Sequence, residues 1–178
     1  MRAKSWNLLV GTALLAPIPH VLYAEVYLSE AQAAATLFPG VSLAMQDVQL
    51  TPEEAKRIQK ASDERVLDPR VRIGWGPNHE ALIIDRVLGK HEFITYAIAI
   101  GADGRVKGVE IMEYRETFGG DVRKQEWLRQ FTGKGGGDSL KLNKDVQNIS
   151  GATLSSAHVT NGVRRVLQTY ELLKNRHA

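Results

Sequence analysis

Three strand-like runs in succession, followed by one long amphipathic helix, constrain this chain more than any other feature. The runs are Ala81-Leu-Ile-Ile-Asp-Arg-Val87, Glu92-Phe-Ile-Thr-Tyr-Ala-Ile-Ala-Ile100 and Arg105-Val-Lys-Gly-Val-Glu-Ile-Met-Glu113. Leu88-Gly89-Lys90 and Gly101-Ala-Asp-Gly104 separate them, and turns this short suit antiparallel hairpins. Thr95 and Tyr96 favour extended backbone. In the third run Val106, Gly108, Glu110 and Met112 alternate with Lys107, Val109, Ile111 and Glu113, and neither set is consistently apolar. The pattern therefore leaves open which face is buried. The helix, predicted over about 156–174, sets Val159, Val163, Val166, Leu167, Tyr170 and Leu173 on one face. Arg164, Arg165, Gln168 and Lys174 fall largely off it. The predicted class is α+β: an antiparallel meander packed with helices, the longest at the C-terminus.

Upstream, Ser29 caps an Ala-rich helix that Pro39-Gly40 stops. Thr51-Pro-Glu-Glu54 starts a second helix, with Thr as cap, Pro at the first position and Glu three residues on. This helix should run to about Ser62, and both should pack as one N-terminal layer. Residues 25–70 thus read as a helical segment, and 71–178 as the domain that carries function. Downstream, Lys124 to Phe131 reads as a short helix, and Gly133 to Gly137 as a flexible stretch.

Residues 1–24 read as an export signal. Arg2 and Lys4 precede an apolar run from about Leu8 to Leu22, and Ala24 offers a small residue before Glu25. Pro17 and Pro19 suit a cleaved signal better than a spanning helix. An uncleaved anchor is the other reading, although the run is short for a full span. Either way the body is expected outside the cytoplasmic membrane, in a periplasm, free or associated with the membrane.

The chain has no cysteine, which removes disulfides, thiolate nucleophiles and cysteine-ligated iron–sulfur clusters. Its net charge of +3 is dispersed among acids, without the dense patch that nucleic acid requires. No two histidines have ligand spacing, so no metal site is expected.

The chemistry concentrates in Asp145-Val-Gln-Asn-Ile-Ser-Gly-Ala-Thr-Leu-Ser-Ser156. Small residues and four hydroxyls (Ser150, Thr153, Ser155, Ser156) stand directly before the long helix. A glycine turn lets backbone approach a phosphate, and a helix start offers free N–H groups. The residues by themselves describe an anion site. Ser150-Gly151-Ala152-Thr153-Leu154-Ser155-Ser156 further resembles the S/T-G-A-T-x-S/T-S motif of the FMN-binding domain family. That family includes the C subunit of sodium-pumping NADH:quinone oxidoreductase and the G subunit of the Rnf complex. The resemblance implies FMN as cofactor, linked to Thr153 through a phosphodiester. It also implies a separate flavin transferase, which uses FAD as donor and a divalent metal, because threonine is a weak nucleophile. The family's acidic residue three places before the motif is Gln147 here, and Asp145 is the candidate substitute.

Tyr114-Arg115-Glu116-Thr117-Phe118-Gly119-Gly120 resembles, in its part from Glu116, the E-T-P-G-x-G loop of the same family, with Phe118 in place of the proline. By resemblance this loop lies against the isoalloxazine ring. N–H groups aimed at the ring would favour its reduced form. His158 is a candidate for phosphate contact and equally for an exposed helix position. Trp127 and Phe131 share a helix face and could shield the flavin or pack in the core. Arg123 and Lys134 are candidate charge partners for the phosphate or a redox protein. His79 and His91 look structural.

The chain has no G-x-G-x-x-G nicotinamide fingerprint. It is therefore expected to relay electrons between redox partner proteins, which could include a membrane complex, and not to oxidise a substrate alone. The alternatives are a non-redox periplasmic binding or sensing module, with non-covalent or lost flavin, and a small flavin reductase.

Overall fold

Two hairpins organise the sheet. β4 (Ala81–Leu88), β5 (Phe93–Ile100) and β6 (Val106–Tyr114) pair antiparallel in sequence order. The computed structural model describes residues 25–177, so the expected export signal, Met1 to Ala24, lies outside the described residues. β3 (Arg70–Trp75) adds to β4, and β2 (Ala44–Gln49) adds to β3. β1 (Glu25–Val26) pairs with β6, giving a six-stranded sheet in the order β1-β6-β5-β4-β3-β2. The segment over 25–70 therefore contributes both edges of the sheet as well as its two helices.

The untidy alternation of β6 has a physical cause. Ile100 pairs with Val106 while Ala99 pairs with Gly108, which leaves Lys107 as an extra residue. Thr95 pairs with Glu113 while Tyr96 pairs with Ile111, which leaves Met112 extra. Each bulge reverses the facing of the residues beyond it. Val106, Val109, Ile111 and Tyr114 consequently all join one core, and Met112 joins the other.

Both faces of the sheet are covered. α1 (Glu30–Leu37) lays Ala33, together with Phe38, over Leu82, Ala97, Ala99 and Met112. Ser29 and Gln32 form its capping box. α2 (Pro52–Ser62) has the box between Thr51 and Glu54. It sits on the opposite face, where Ile58 joins the core formed by α4 (Thr153–His177). The two N-terminal helices thus form no common layer, because each has its own apolar stripe and β2 carries the chain between them. The apolar face of α4 is buried as its spacing implies: Val159, Val163, Val166, Leu167, Tyr170 and Leu173 are at most 2% exposed. Each such side chain contributes roughly 1.5–3 kcal/mol of burial.

Two residues of α4 set its distance from the sheet. A methyl group at Gly162 would run into Tyr96 Oη and stand 2.6 Å from Val87 Cγ1, so only glycine lets the helix lie this close. Arg165, expected off the apolar face, is instead buried. Its guanidinium pairs with Asp85 at 2.6 Å and donates to the carbonyls of Arg65 (2.8 Å) and Arg86 (3.0 Å). The Tyr96 hydroxyl donates to the same Asp85 carboxylate at 2.6 Å. Burial pushes that phenol well above its ordinary pKa, and the Asp85 charge adds to the effect. A buried charge is tolerable when it is paired and fully hydrogen-bonded.

α3 (Gln125–Leu128) and a 3-10 turn over Arg129–Phe131 occupy the predicted short helix. Trp127 and Phe131 meet edge to face at 5.1 Å and are buried, with Trp127 Nε1–H donating to Gln147 O at 2.7 Å. They belong to the core. The glycine stretch after them is pinned and not loose: Gly133 N–H donates to Val106 O, and Val106 N–H to Lys134 O, both at 2.8 Å. Gln168 Nε2–H reaches Gly136 O at 2.7 Å.

Candidate functional site

The chain leaves β6 at Tyr114 and enters the loop Glu116–Gly120. The Glu116 carboxylate accepts the backbone N–H of His91 (2.6 Å) and of Glu92 (3.1 Å), which fastens the loop to the β4–β5 turn. Desolvation works to raise the pKa of Glu116. The N–H donors of His91, Glu92 and Lys90 outweigh it and hold the carboxyl below its ordinary value. Gly119 adopts φ +91°, a left-handed conformation that glycine takes without strain. Its α-carbon also faces a crowded spot. An added Cβ would stand 2.6 Å from Tyr114 Oη and 2.9 Å from Ser155 Oγ.

Tyr114 joins the two motifs. Its hydroxyl donates to Phe118 O and contacts Ser155 Oγ at 2.9 Å. A phenol has one hydrogen, so Ser155 is the donor in the second bond. Burial raises the Tyr114 pKa, with Ser155 opposing and the Glu116 charge assisting.

The second motif turns into α4. Ala152 N–H donates to Ile149 O at 3.0 Å, and Gly151 takes φ +80° with open space on its outer side. Thr153 is the first residue of the helix, three residues earlier than the apolar spacing suggested. The Ser156 N–H reaches Ala152 O at 2.9 Å. The N–H groups of Thr153, Leu154 and Ser155 precede that bond, in the turn where an α-helix has no intrahelical partners to offer. Asn148 Nδ2–H donates to Thr153 Oγ1 at 3.0 Å. The Asp145 carboxylate is already engaged by the Ser139 hydroxyl and the Lys141 N–H.

Glu116, Thr117, Phe118 and Gly119 meet Gly151, Ala152, Thr153, Leu154 and Ser155 around one cavity of about 490 Å³. Lys90 and His91 complete its wall. A neighbouring hollow of about 540 Å³ shares the loop and adds Gly120, Ser150, Tyr27, Tyr114 and Arg123. Both volumes lie within the range of ligand sites, ~300–1,000 Å³. Phe118 is 82% exposed and Leu154 51%, an uncommon state for large apolar side chains at a cavity mouth.

The fold thus brings the two sequence motifs together, although some thirty residues separate them. Ser156 is the exception. It is fully buried and lines neither hollow, with an unpartnered Oγ. His158 lines neither hollow, and its Nδ1 is buried without a partner. Arg123 borders the second hollow, with its guanidinium 4.7 Å from the Tyr27 ring centre. Lys134 sits in the pairing beside Val106, away from both hollows. Sequence reasoning misses Lys90, includes Tyr114 and Asn148 in its two strings without giving either a role, and reads His91 as structural. The approach of the β4–β5 turn to the loop after β6 depends on the whole meander and leaves no local signal.

Residues 89–168 match the family model of the FMN-binding domain. A stretch of 83 residues is 36% identical to the G subunit of the Na(+)-translocating ferredoxin:NAD(+) oxidoreductase complex of Acetobacterium woodii, covering 42% of this chain. The match spans 40% of that protein's length. Residues 89–168 are thus similar to the FMN-binding domain family, which supports FMN as the cofactor. The site's chemistry fits this group. Gly151 leaves backbone open to a ring or phosphate, the first turn of α4 offers N–H donors to an anion, and Phe118 and Leu154 offer apolar surface.

Proposed function

We propose, from an FMN-binding domain as premise, that this chain is an exported electron carrier whose FMN is joined by a phosphodiester to Thr153. Bound FMN supplies one- and two-electron redox chemistry. The chain's own residues bind and orient it. The first turn of α4 faces the phosphate, where the helix dipole favours an anion by roughly 0.3–1 kcal/mol. That is too little to retain a flavin alone, and a covalent tether answers the deficit. The Glu116–Gly120 loop, fastened through Glu116 and Tyr114, provides a rigid wall for the ring.

The observation that carries this reading is that Thr153 and the loop share one cavity. The resemblance to a subunit of a sodium-translocating redox complex supports a role between redox partner proteins, in association with a membrane complex. Among the described residues no helix is long and apolar enough to cross a membrane. Export rests on the sequence of residues 1–24, and mature protein is expected to begin near Glu25.

The test is co-production with an FAD-dependent flavin transferase. Wild-type protein should keep flavin fluorescence in a denaturing gel, Thr153→Ala should lose it while remaining folded, and Thr153→Ser should retain part. Wild-type protein that releases its flavin on denaturation would refute the covalent link, and protein that never binds flavin would refute the carrier role.

A further inference from the structure

The geometry points to Asn148 as the positioning residue for flavin attachment: its amide N–H holds the Thr153 oxygen before the reaction and keeps that hold on the ester oxygen afterwards. This rests on the covalent reading above. Asn148 lies outside the seven-residue motif, yet its Nδ2–H donates to Thr153 Oγ1 at 3.0 Å across a separation of five residues. Its Oδ1 is buried without a partner, so the carboxamide is wedged into the turn and not swinging in solvent.

Thr153 is exposed in the first turn of the helix. There a threonine side chain divides between two rotamers, and a donor fixed to Oγ1 selects one of them. The bond uses a lone pair of the oxygen and leaves the hydroxyl hydrogen free to depart. In the transfer, Thr153 Oγ attacks the riboflavin-side phosphorus of FAD bound to the transferase. The new O–P bond forms as the bond to the AMP half breaks. AMP leaves, the hydroxyl proton passes to a base on the transferase or to solvent, and no oxidation state changes.

The product is a phosphodiester anion beside Asn148. An amide donor suits the neutral hydroxyl and the anion alike. A carboxylate in its place would donate nothing and would repel the product.

Flavin-free wild-type protein, Asn148→Ala and Asn148→Asp would be incubated with purified transferase, FAD and a divalent metal ion. Intact mass would be followed over time at several acceptor concentrations. Asn148→Ala is expected to lower the rate at saturating acceptor about tenfold, in keeping with one lost hydrogen bond. Its KM should be unchanged, because the transferase still docks on an intact surface. Asn148→Asp, which is isosteric and preserves the turn, should be slower still at neutral pH. An Asn148→Ala rate equal to wild type, or an Asn148→Asp rate equal to or above it, overturns the proposal while leaving the covalent link intact. A wild-type mass that never rises, with the transferase shown active on another acceptor, removes the covalent reading and this proposal with it.

Discussion

Replacing Gly119 by alanine should destabilise the flavin-free protein by about 2–4 kcal/mol, and the amount can be divided by its causes. A non-glycine residue at φ +91° carries a backbone cost of roughly 1–2 kcal/mol. The new Cβ would also stand 2.6 Å from Tyr114 Oη and 2.9 Å from Ser155 Oγ, closer than real Cβ atoms come. The tyrosine must shift, and its bonds to Phe118 O and to Ser155 weaken together. At about 1 kcal/mol net for each bond, this adds roughly 1–2 kcal/mol. Gly133 provides the control, since its φ is +78° and no atom lies within 4 Å of an added Cβ. Gly133→Ala should cost the backbone share alone. Urea unfolding with linear extrapolation resolves the difference. Tyr114→Phe, which removes the nearer contact, should make the Gly119→Ala effect smaller in a double-mutant cycle. Equal costs for Gly119→Ala and Gly133→Ala would refute the argument that Tyr114 and Ser155 pack against this glycine.

Gly162→Ala should be destabilising by about 1–3 kcal/mol, the usual cost of overpacking, because α4 must lift from Tyr96 and Val87; an unchanged unfolding midpoint would contradict that packing. Glu116 makes the loop anchor dependent on pH. Its folded pKa is depressed, so its stabilisation is present above the ordinary carboxylate value and is lost as pH falls through the lower folded value. The loop's amide-exchange protection at His91 and Glu92 should fade over that acidic window and be weak at all pH values in Glu116→Gln; protection that ignores both changes would show that the carboxylate does not hold the turn.

The parts of the fold that were legible in the sequence are those set by local chemistry. Ser29 and Thr51 cap helices because each has its partner three residues on, at Gln32 and Glu54. The hairpins follow from short turns between β-rich runs. β2 is not legible in the sequence, because Ala44-Met-Gln-Asp-Val-Gln49 lies on a sheet edge, is largely exposed, and has no apolar alternation to announce it. Arg165 departs from the helical spacing for a different reason. Helical spacing assigns charge to the solvent side, whereas here Asp85 and two carbonyls across the interface supply its partners. The glycines at 133–137 suggested looseness, but their backbone groups pair with β6 and with Gln168.

The candidate site shows the same division. Both motifs of the proposed flavin site were visible as residue strings, because glycines and hydroxyls must stand at fixed places in a turn suited to a phosphate or a ring. The contacts that join the strings leave no local signal: Tyr114 heads its string but ends β6 and reaches Ser155 only in the fold, and His91 and Glu92 belong to the β4–β5 turn. Yet these joints decide how the site behaves. With Glu116 tied to one turn by exposed hydrogen bonds, and Tyr114 joining Phe118 O to Ser155 by half-buried and buried ones, the loop and the start of α4 are coupled. A flavin tethered at Thr153 would then meet a wall whose position is set by the same contacts that seat its anchor. Loosening Tyr114 should therefore disturb the environment of a flavin bound as proposed, even though Thr153, in the first turn of α4, stays where it is.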